Sequence, residues 1–155
     1  MIFLNLNNLI DFQEFDIEDP QEDQISIIAE KIDELRKLCW LNLGVSRNKV
    51  NMSKFLNCIQ NDIDKLNTND LLNCLEKIKF DQKVKLSERN RRALNLLLDL
   101  KNRQITTITL LKACLFREES RGGHYRDEFP EKDKNWECHT RQQLDQKIQK
   151  RFIKN

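Results

Sequence analysis

Apolar side chains recur at steps of three and four residues through most of this sequence, and this spacing constrains the fold more than any other feature. The first series follows an acidic stretch and precedes Gly44; it consists of Ile25, Ile28, Ile32, Leu35 and Cys39. Such spacing places the side chains on one face of an α-helix. We therefore expect a helix from Ile25 to about Trp40, with Gly44 as its stop.

Three further series have the same spacing. The second comprises Met52, Phe55, Leu56, Ile59, Ile63 and Leu66; the short third one comprises Leu71, Leu72, Leu75 and Ile78; the last comprises Leu94, Leu97, Leu98, Leu100, Ile105, Ile108, Leu111 and Leu115. Ser87 is a suitable N-cap for the last helix. The sequence leaves open whether residues 87–120 form one helix or two with a break near Asn102. Gly122 or Gly123 is expected to end it.

Turn-forming residues are too scarce for most other architectures. The 155 residues include three glycines and two prolines, too few for the many turns of a sandwich, a barrel or a doubly wound sheet. The sequence therefore predicts an all-α fold. Glycine scarcity also argues against a dinucleotide or P-loop site, because these cradles need several closely spaced glycines and the only pair is Gly122 and Gly123.

Charge and cysteine usage exclude other classes of protein. A net charge of +2 is far from the strong basic bias of a dedicated nucleic-acid binder. The apolar start lacks a basic region, and no run of 18 apolar residues exists, so we expect neither secretion nor a membrane span. Five widely spaced cysteines are typical of reduced thiols in the cytoplasm, and we expect them to be buried as small hydrophobic residues.

Composition divides the chain into three parts. Residues 1–23 turn from apolar and asparagine-rich to acidic and read as a linker or a severed connection, such as an internal linker translated from a downstream start, which favours a fragment. Residues 24–140 contain the helices and an extended segment after them. Residues 141–155 form a basic, glutamine-rich tail that we expect to be a frayed helix or disordered.

The segment 116–140 combines aromatic, charged and histidine side chains without a helical period. Its cations are Arg117, Arg121, His124 and Arg126, and the carboxylates beside them are Glu118, Glu119, Asp127 and Glu128. Two interpretations stay open: an anion-binding site for a partner, or salt bridges inside the domain that fix an extended strap.

The same segment carries aromatic and soft-ligand side chains. Tyr125, Phe129 and Trp136 could belong to an interface or pack on the helices. His124, Cys138 and His139 match no structural zinc spacing, and adjacent Cys138 and His139 suit no nucleophilic pair.

Residues 116–130 read FREESRGGHYRDEFP and are followed by Asp133, Trp136 and His139-Thr140. This pattern closely resembles the C-terminal signature of the succinate dehydrogenase/fumarate reductase flavoprotein family, in which a helix ends in Arg-x-Glu-Ser-Arg-Gly-x-His-x-Arg. Residues 40–48, WLNLGVSRN, look like the Trp-x-x-x-Gly-Ile-Val-Arg-Asn element of its L-aspartate oxidase branch, and residues 99–102, DLKN, look like its Glu-Leu-Arg-Asn. The resemblance covers about residues 25–140 and is loose over 50–98.

The resemblance implies an all-α, spectrin-repeat-like three-helix antiparallel bundle with an extended C-terminal strap. Such a bundle packs against a larger FAD-binding domain, in cis or in trans, in an enzyme that oxidises L-aspartate to iminoaspartate on the way to NAD. The family's flavin and substrate sites precede this region, so no catalytic, cofactor-binding or metal-binding residue is carried over, and FAD is expected only in the full-length enzyme. Without that domain, uncovered apolar faces predict self-association.

The residues that the resemblance places at the domain interface are Arg117, Glu119, Ser120, Arg121, Gly122, His124, Arg126, Trp136 and His139. Two alternatives stay open. The chain could belong to the succinate dehydrogenase or fumarate reductase branch, or it could be a free-standing helical interaction module.

Overall fold

A computed structural model describes residues 12–14, 18–78, 83–143 and 146–152, and within these ranges the chain is mostly helical. The helices are α1 (Glu22–Leu43), α2 (Lys49–Leu66), α3 (Asp70–Glu76) and α4 (Glu88–Phe116). The strands are β1 (Phe12–Glu14), β2 (Ser46–Arg47), β3 (Lys83–Lys85), β4 (Tyr125–Arg126), β5 (Cys138–Arg141) and β6 (Gln149–Phe152). The four helices correspond to the four apolar series of the sequence.

Polar side chains fix where the helices begin. The Asn48 side chain accepts a hydrogen bond from the Asn51 backbone N–H at 2.8 Å, and Ser87 accepts one from the Asn90 N–H at 3.0 Å. These bonds satisfy backbone donors that a helix start leaves unpaired. The prediction of Ser87 as an N-cap is thereby confirmed.

The last helix is continuous, which answers the question that the sequence left open. Thr106 and Thr109 lie near the suspected break, and each donates its hydroxyl to the carbonyl four residues earlier at 2.8 Å. These bonds satisfy the threonine hydroxyls without interrupting the helix, and α4 runs unbroken for 29 residues.

Helix α4 is the element on which the others pack. One cluster of buried residues joins α1 and α2 to the middle and the C-terminal part of α4; it contains Leu35, Met52, Phe55, Ile59, Leu100, Leu111 and Cys114. A second cluster joins α3 and the N-terminal half of α4 to the start of α1; it contains Ile25, Leu71, Leu72, Ala93, Leu94 and Leu97. The core thus extends along the whole of α4.

The end of α4 differs from the prediction. The helix ends at Phe116, six residues before Gly122, and Arg117 is already extended at φ −83° and ψ 115°. Gly122 does adopt a positive φ of 59°, but it does so in a tight turn in which Arg121 and His124 exchange backbone hydrogen bonds at 2.8 and 3.1 Å. We call residues 117–140, the extended segment after α4, the strap.

Three short strand pairs connect distant parts of the chain. Strand β1 pairs in parallel with β3, and β2 pairs in parallel with β4, with Ser46 opposite Tyr125. Strands β5 and β6 are antiparallel, with Cys138 opposite Phe152. The expectation of a frayed helix or disorder in 141–155 is therefore wrong for β6, where residues 149–152 continue the strap as a hairpin.

The cysteines are free thiols, but they are not uniformly buried. Cys114 and Cys138 are buried, Cys39 and Cys74 are half-buried, and Cys58 is exposed. The expectation of burial is wrong for Cys58, which is an exposed residue of α2. Among the described residues, no helix is both long and apolar enough to cross a membrane.

The packing on α4 yields a test with an internal control. Leu111 is fully buried whereas its neighbour Leu110 is 46% exposed. Leu111→Ala should lower the free energy of unfolding by about 3 kcal/mol, because it leaves a cavity where α1 and α2 meet α4. Leu110→Ala should change it by less than about 0.5 kcal/mol. Urea denaturation of both variants measures the difference, and equal losses would contradict the packing described here.

Candidate functional site

The strap begins by closing the C-terminal end of α4. The Arg126 guanidinium is buried and donates from Nη1 to the carbonyls of Cys114 at 2.7 Å, Leu115 at 3.4 Å and Arg117 at 3.1 Å. A helix C-terminus has unpaired carbonyls and a partial negative charge, so a cation is favoured there. Arg126 thus serves as the helix cap for which the sequence suggested a glycine.

A carboxylate of the strap balances the charge of Arg126. Glu128 lies within 3.0 Å of the Arg126 Nη2, and its other oxygen accepts a hydrogen bond of 2.5 Å from the backbone N–H of Lys49, the first residue of α2. Burial alone raises the pKa of Glu128, but the hydrogen bonds from Lys49 and Arg126 outweigh it and lower the pKa. Glu128 therefore joins the end of α4 to the start of α2.

A second carboxylate, Glu119, organises the middle of the strap. It is completely buried and binds two guanidinium groups: Arg117 Nη2 lies at 2.5 Å and Arg121 Nε at 2.9 Å from the same oxygen. Its other oxygen accepts hydrogen bonds from Arg121 Nη2 and from the Asp133 backbone N–H, both at 3.0 Å. Burial alone raises its pKa, but the bonds from Arg121, Asp133 and Arg117 bring the pKa of Glu119 down to about 2.

Ser120 and Trp136 pack the strap against itself and against α4. The Ser120 hydroxyl accepts from the Arg126 N–H at 2.8 Å and donates to the Phe129 carbonyl at 2.7 Å. The buried Trp136 ring meets Phe116 edge-on at a centroid distance of 5.3 Å, and the Lys150 ammonium from β6 lies 3.4 Å from its centroid. Aromatic and cation–π contacts therefore fix the far half of the strap.

His124 faces a residue that sequence reasoning did not place in the site. Its Nδ1 lies 2.7 Å from Arg47 Nη1, and its buried Nε2 has no hydrogen-bond partner. Burial and then the Arg47 charge lower the pKa of His124, so the neutral ring accepts from the guanidinium. Arg47 also donates from Nη2 to the Leu43 carbonyl at 3.2 Å. The one sequence signal for Arg47 was its place in WLNLGVSRN, 77 residues before His124.

The nine residues predicted as a domain interface all belong to the strap, but their exposure differs. Glu119, Ser120, Arg126 and Trp136 are buried within this chain, and Arg117, Arg121 and His124 are half-buried. Only Gly122 and His139 are exposed. Both interpretations of the charged cluster retain support. The internal salt bridges are present, while Gly122 is exposed and Arg121 is only half-buried.

The chemistry available in the described residues is that of binding and positioning. A flavin dinucleotide needs a glycine-rich turn between a strand and a helix, whereas Gly44 follows a helix and Gly122 and Gly123 lie in the turn of the strap. The residues present therefore do not fit FAD. Within the described part of the chain, no three His, Cys, Asp or Glu side chains are grouped so that they could hold a metal ion.

Comparison with known proteins places the strap and most of the helices in one family. Residues 32–154 match the family described as the fumarate reductase flavoprotein C-terminus. A fumarate reductase (CoM/CoB) subunit from Methanothermobacter marburgensis is 30% identical over 151 residues, which are 96% of this chain and 24% of that protein. The L-aspartate oxidase of Synechocystis sp. is 32% identical over 111 residues, 69% of this chain and 20% of the enzyme.

Two further relatives agree with these. An uncharacterized FAD-dependent oxidoreductase of Methanocaldococcus jannaschii is 30% identical over 105 residues, 68% of this chain and 16% of that protein. The L-aspartate oxidase of Nostoc sp. is 28% identical over 138 residues, 87% of this chain and 23% of the enzyme. The chain thus spans a quarter or less of the length of the curated relatives it matches.

The paired arginines make Glu119 the most sensitive carboxylate of the strap. Glu119→Gln should lower the free energy of unfolding at pH 7 by about 3 kcal/mol, because it leaves two partly buried guanidinium groups without their anion. The exposed neighbour Glu118 supplies the control, and Glu118→Gln should cost less than about 0.5 kcal/mol. Denaturant unfolding of both variants at pH 7 measures this difference.

The pKa of about 2 also sets a pH window for Glu119. The unfolded chain binds the proton near pH 4.5 and the folded chain only near pH 2, so the stabilisation is complete above pH 4.5 and is lost as the pH falls towards 2. Glu119→Gln should flatten this part of the stability profile. An unchanged acid slope in the variant would contradict the ion-pair assignment.

The lowered pKa of His124 predicts a separate effect at milder pH. The unfolded chain binds a proton at the usual pKa of 6.5 that the folded chain resists, so stability should fall as the pH falls through 6.5. His124→Asn should show a smaller fall than the unchanged chain. His139→Gln is the matched control, because His139 is the second histidine and is exposed, and it should retain the original slope.

Proposed function

Because the chain belongs to the fumarate reductase flavoprotein C-terminal family, we propose that it acts as the C-terminal helical domain of an L-aspartate oxidase-like flavoprotein. In this role it packs against the FAD-binding domain, in cis or in trans, and supports an enzyme that oxidises L-aspartate to iminoaspartate in NAD biosynthesis in the cytoplasm. FAD binds to the other domain. The observation that carries the proposal is the family match over residues 32–154, which includes the whole strap.

The division of the strap into buried and exposed residues fits this role. The buried Arg126 and Trp136 hold the strap against α4, and the buried Glu119 holds the strap together. The turn at Gly122, together with Arg121 and His139, then faces outward and contacts the flavin domain. We also propose that α1, α2 and α4 form a three-helix antiparallel bundle, with α3 as an addition beside it.

Two observations favour the L-aspartate oxidase branch. Residues 40–48 look like that branch's element, and the structure uses its arginine, Arg47, to hold His124 of the strap. Two of the relatives are L-aspartate oxidases.

The fumarate reductase branch is the second candidate. The protein from Methanothermobacter marburgensis matches 96% of this chain, a larger share than either L-aspartate oxidase does. Under this alternative the domain has the same docking role, and the flavoprotein that it supports acts on fumarate or succinate.

Reconstitution tests both candidates. The tagged 155-residue chain is mixed with the FAD-binding region of an L-aspartate oxidase from the same source, and the captured complex is scored by flavin absorbance. We expect capture of flavin and an increase in aspartate-dependent peroxide formation. Preferential capture of the FAD-binding region of a fumarate reductase flavoprotein would favour the second candidate.

The folded state of the chain controls for a trivial failure. Circular dichroism at the working temperature must show the helical spectrum expected of α1–α4, and size-exclusion chromatography reports self-association. A folded chain that captures no flavin domain of either branch would contradict the docking role and favour a free-standing interaction module.

A further inference from the structure

Four strongly exposed apolar side chains of the described residues lie close together in the sequence. Trp40 is 81% exposed, Leu41 and Val45 are each 71% exposed, and Val50 is 60% exposed. All four lie within eleven consecutive residues, between the last turn of α1 and the first turn of α2. We call these four residues the apolar corner.

The backbone of the apolar corner is held in place by the strap. The Val45 carbonyl accepts a hydrogen bond from the Tyr125 N–H at 3.2 Å, and the Arg47 carbonyl accepts one from the Asp127 N–H at 2.9 Å. The Ser46 hydroxyl donates to Asp127 at 2.8 Å. The corner therefore continues directly into the strap at Tyr125, which is itself 41% exposed.

Tight packing of the chain at Gly44 makes the corner rigid. A Cβ at Gly44 would lie 2.9 Å from the Trp40 carbonyl oxygen, so the chain turns back closely against the end of α1. Arg47 binds the Leu43 carbonyl from the other side of this turn, and Asn48 caps α2. Exposed apolar groups on a rigid backbone lose little conformational entropy when a partner covers them.

We propose that the apolar corner, with Tyr125 beside it, is the principal contact of this chain with the FAD-binding part of its flavoprotein. The inference rests on the proposed docking role and identifies the surface that performs it. Contiguous exposed apolar groups mark interaction sites, and a tryptophan supplies much of the binding energy of such sites.

The relatives indicate which partner covers the corner. Each carries at least three times as much polypeptide as the part that matches this chain. In those proteins the matching region is attached to that remaining polypeptide. We therefore expect the flavin-containing remainder to cover this apolar surface, which would otherwise be left in contact with water.

The ion pairs of the strap play a different part in this contact. Glu119 and Arg126 already have their partners within this chain, so they have little capacity left for a second protein. The side chains of the apolar corner are 60–81% exposed, so most of their surface is free to contact a second protein. Affinity therefore comes from the corner, and the strap fixes the orientation in which the corner is presented.

A double substitution tests the assignment. Trp40→Gln with Leu41→Gln removes the apolar surface but keeps good helix formers at the end of α1. The control, Ile105→Gln with Leu110→Gln, changes two 46%-exposed residues on α4. Each variant is titrated with the flavin-bound FAD-binding region, and its thermal unfolding is compared with that of the unchanged chain.

We expect the corner variant to bind at least about tenfold more weakly and the control to bind within about twofold of the unchanged chain. Both variants should unfold within a few degrees of the unchanged chain, since all four side chains are exposed. Equal binding by the corner variant, or an equal loss in the control, overturns the assignment while leaving the docking role intact. Failure of the unchanged chain to bind overturns both.

Hydroxyl-radical footprinting supplies a measurement without substitutions. Trp40 should be oxidised readily in the free chain and protected in the complex, whereas Trp136 is 5% exposed and should react little in either state. Undiminished oxidation of Trp40 in a flavin-containing complex overturns the assignment. Protection of Trp40 in the chain alone, at concentrations where it dimerises, would assign the corner to a second copy instead and also overturn it.

Discussion

A buried guanidinium at the end of α4 determines the path of everything that follows it. Arg126 must reach three backbone carbonyls near the helix end and also keep Glu128 as its counter-charge. The strap therefore runs back towards α2 before it can leave the helices. Because Glu128 also binds the Lys49 N–H, this single charge pair connects the end of the longest helix to the start of another.

Burying such charges is energetically unfavourable, and the strap compensates by giving nearly every buried polar atom a hydrogen-bond or ion-pair partner. Glu119 combines two guanidinium groups with a backbone N–H, and the Arg117 guanidinium continues to the carbonyls of Trp136 and Cys138. A network of this kind often contributes less net stability than apolar residues of the same size. Its many directional bonds nevertheless fix the relative positions of the groups that it joins. The strap thereby acquires a fixed shape from polar contacts rather than from a core of its own. Within the described part of the strap, the His124 Nε2 is the exception, and it belongs to the residue that closes the exposed turn.

Sequence reasoning succeeded where the determining forces are local. The helices of Ile25 and Leu94 follow from apolar spacing, and the Ser87 cap from a hydroxyl three residues before its donor. It failed at the end of α4, because the cap comes from Arg126, ten residues beyond Phe116, and not from a glycine. Strand β6 has four residues and no alternating pattern, so only its pairing with β5 defines it. The sequence predicted His124 as an interface residue, but its partner Arg47 lies 77 residues away and no local pattern connects the two.

The strap is rich in the residue types of catalytic and anion-binding sites. Most of these side chains, however, already form ion pairs and hydrogen bonds within this chain. A charge that already has its partners gives a second protein little new energy, since any gain must be set against the bonds it replaces. Exposed apolar groups have no hydrogen bonds or ion pairs to give up when they bind. Under the proposed docking role, the buried charges of the strap and the exposed apolar groups of the corner therefore have different parts, and the β2–β4 pairing joins them: Ser46 lies opposite Tyr125, and Arg47 lies opposite Arg126.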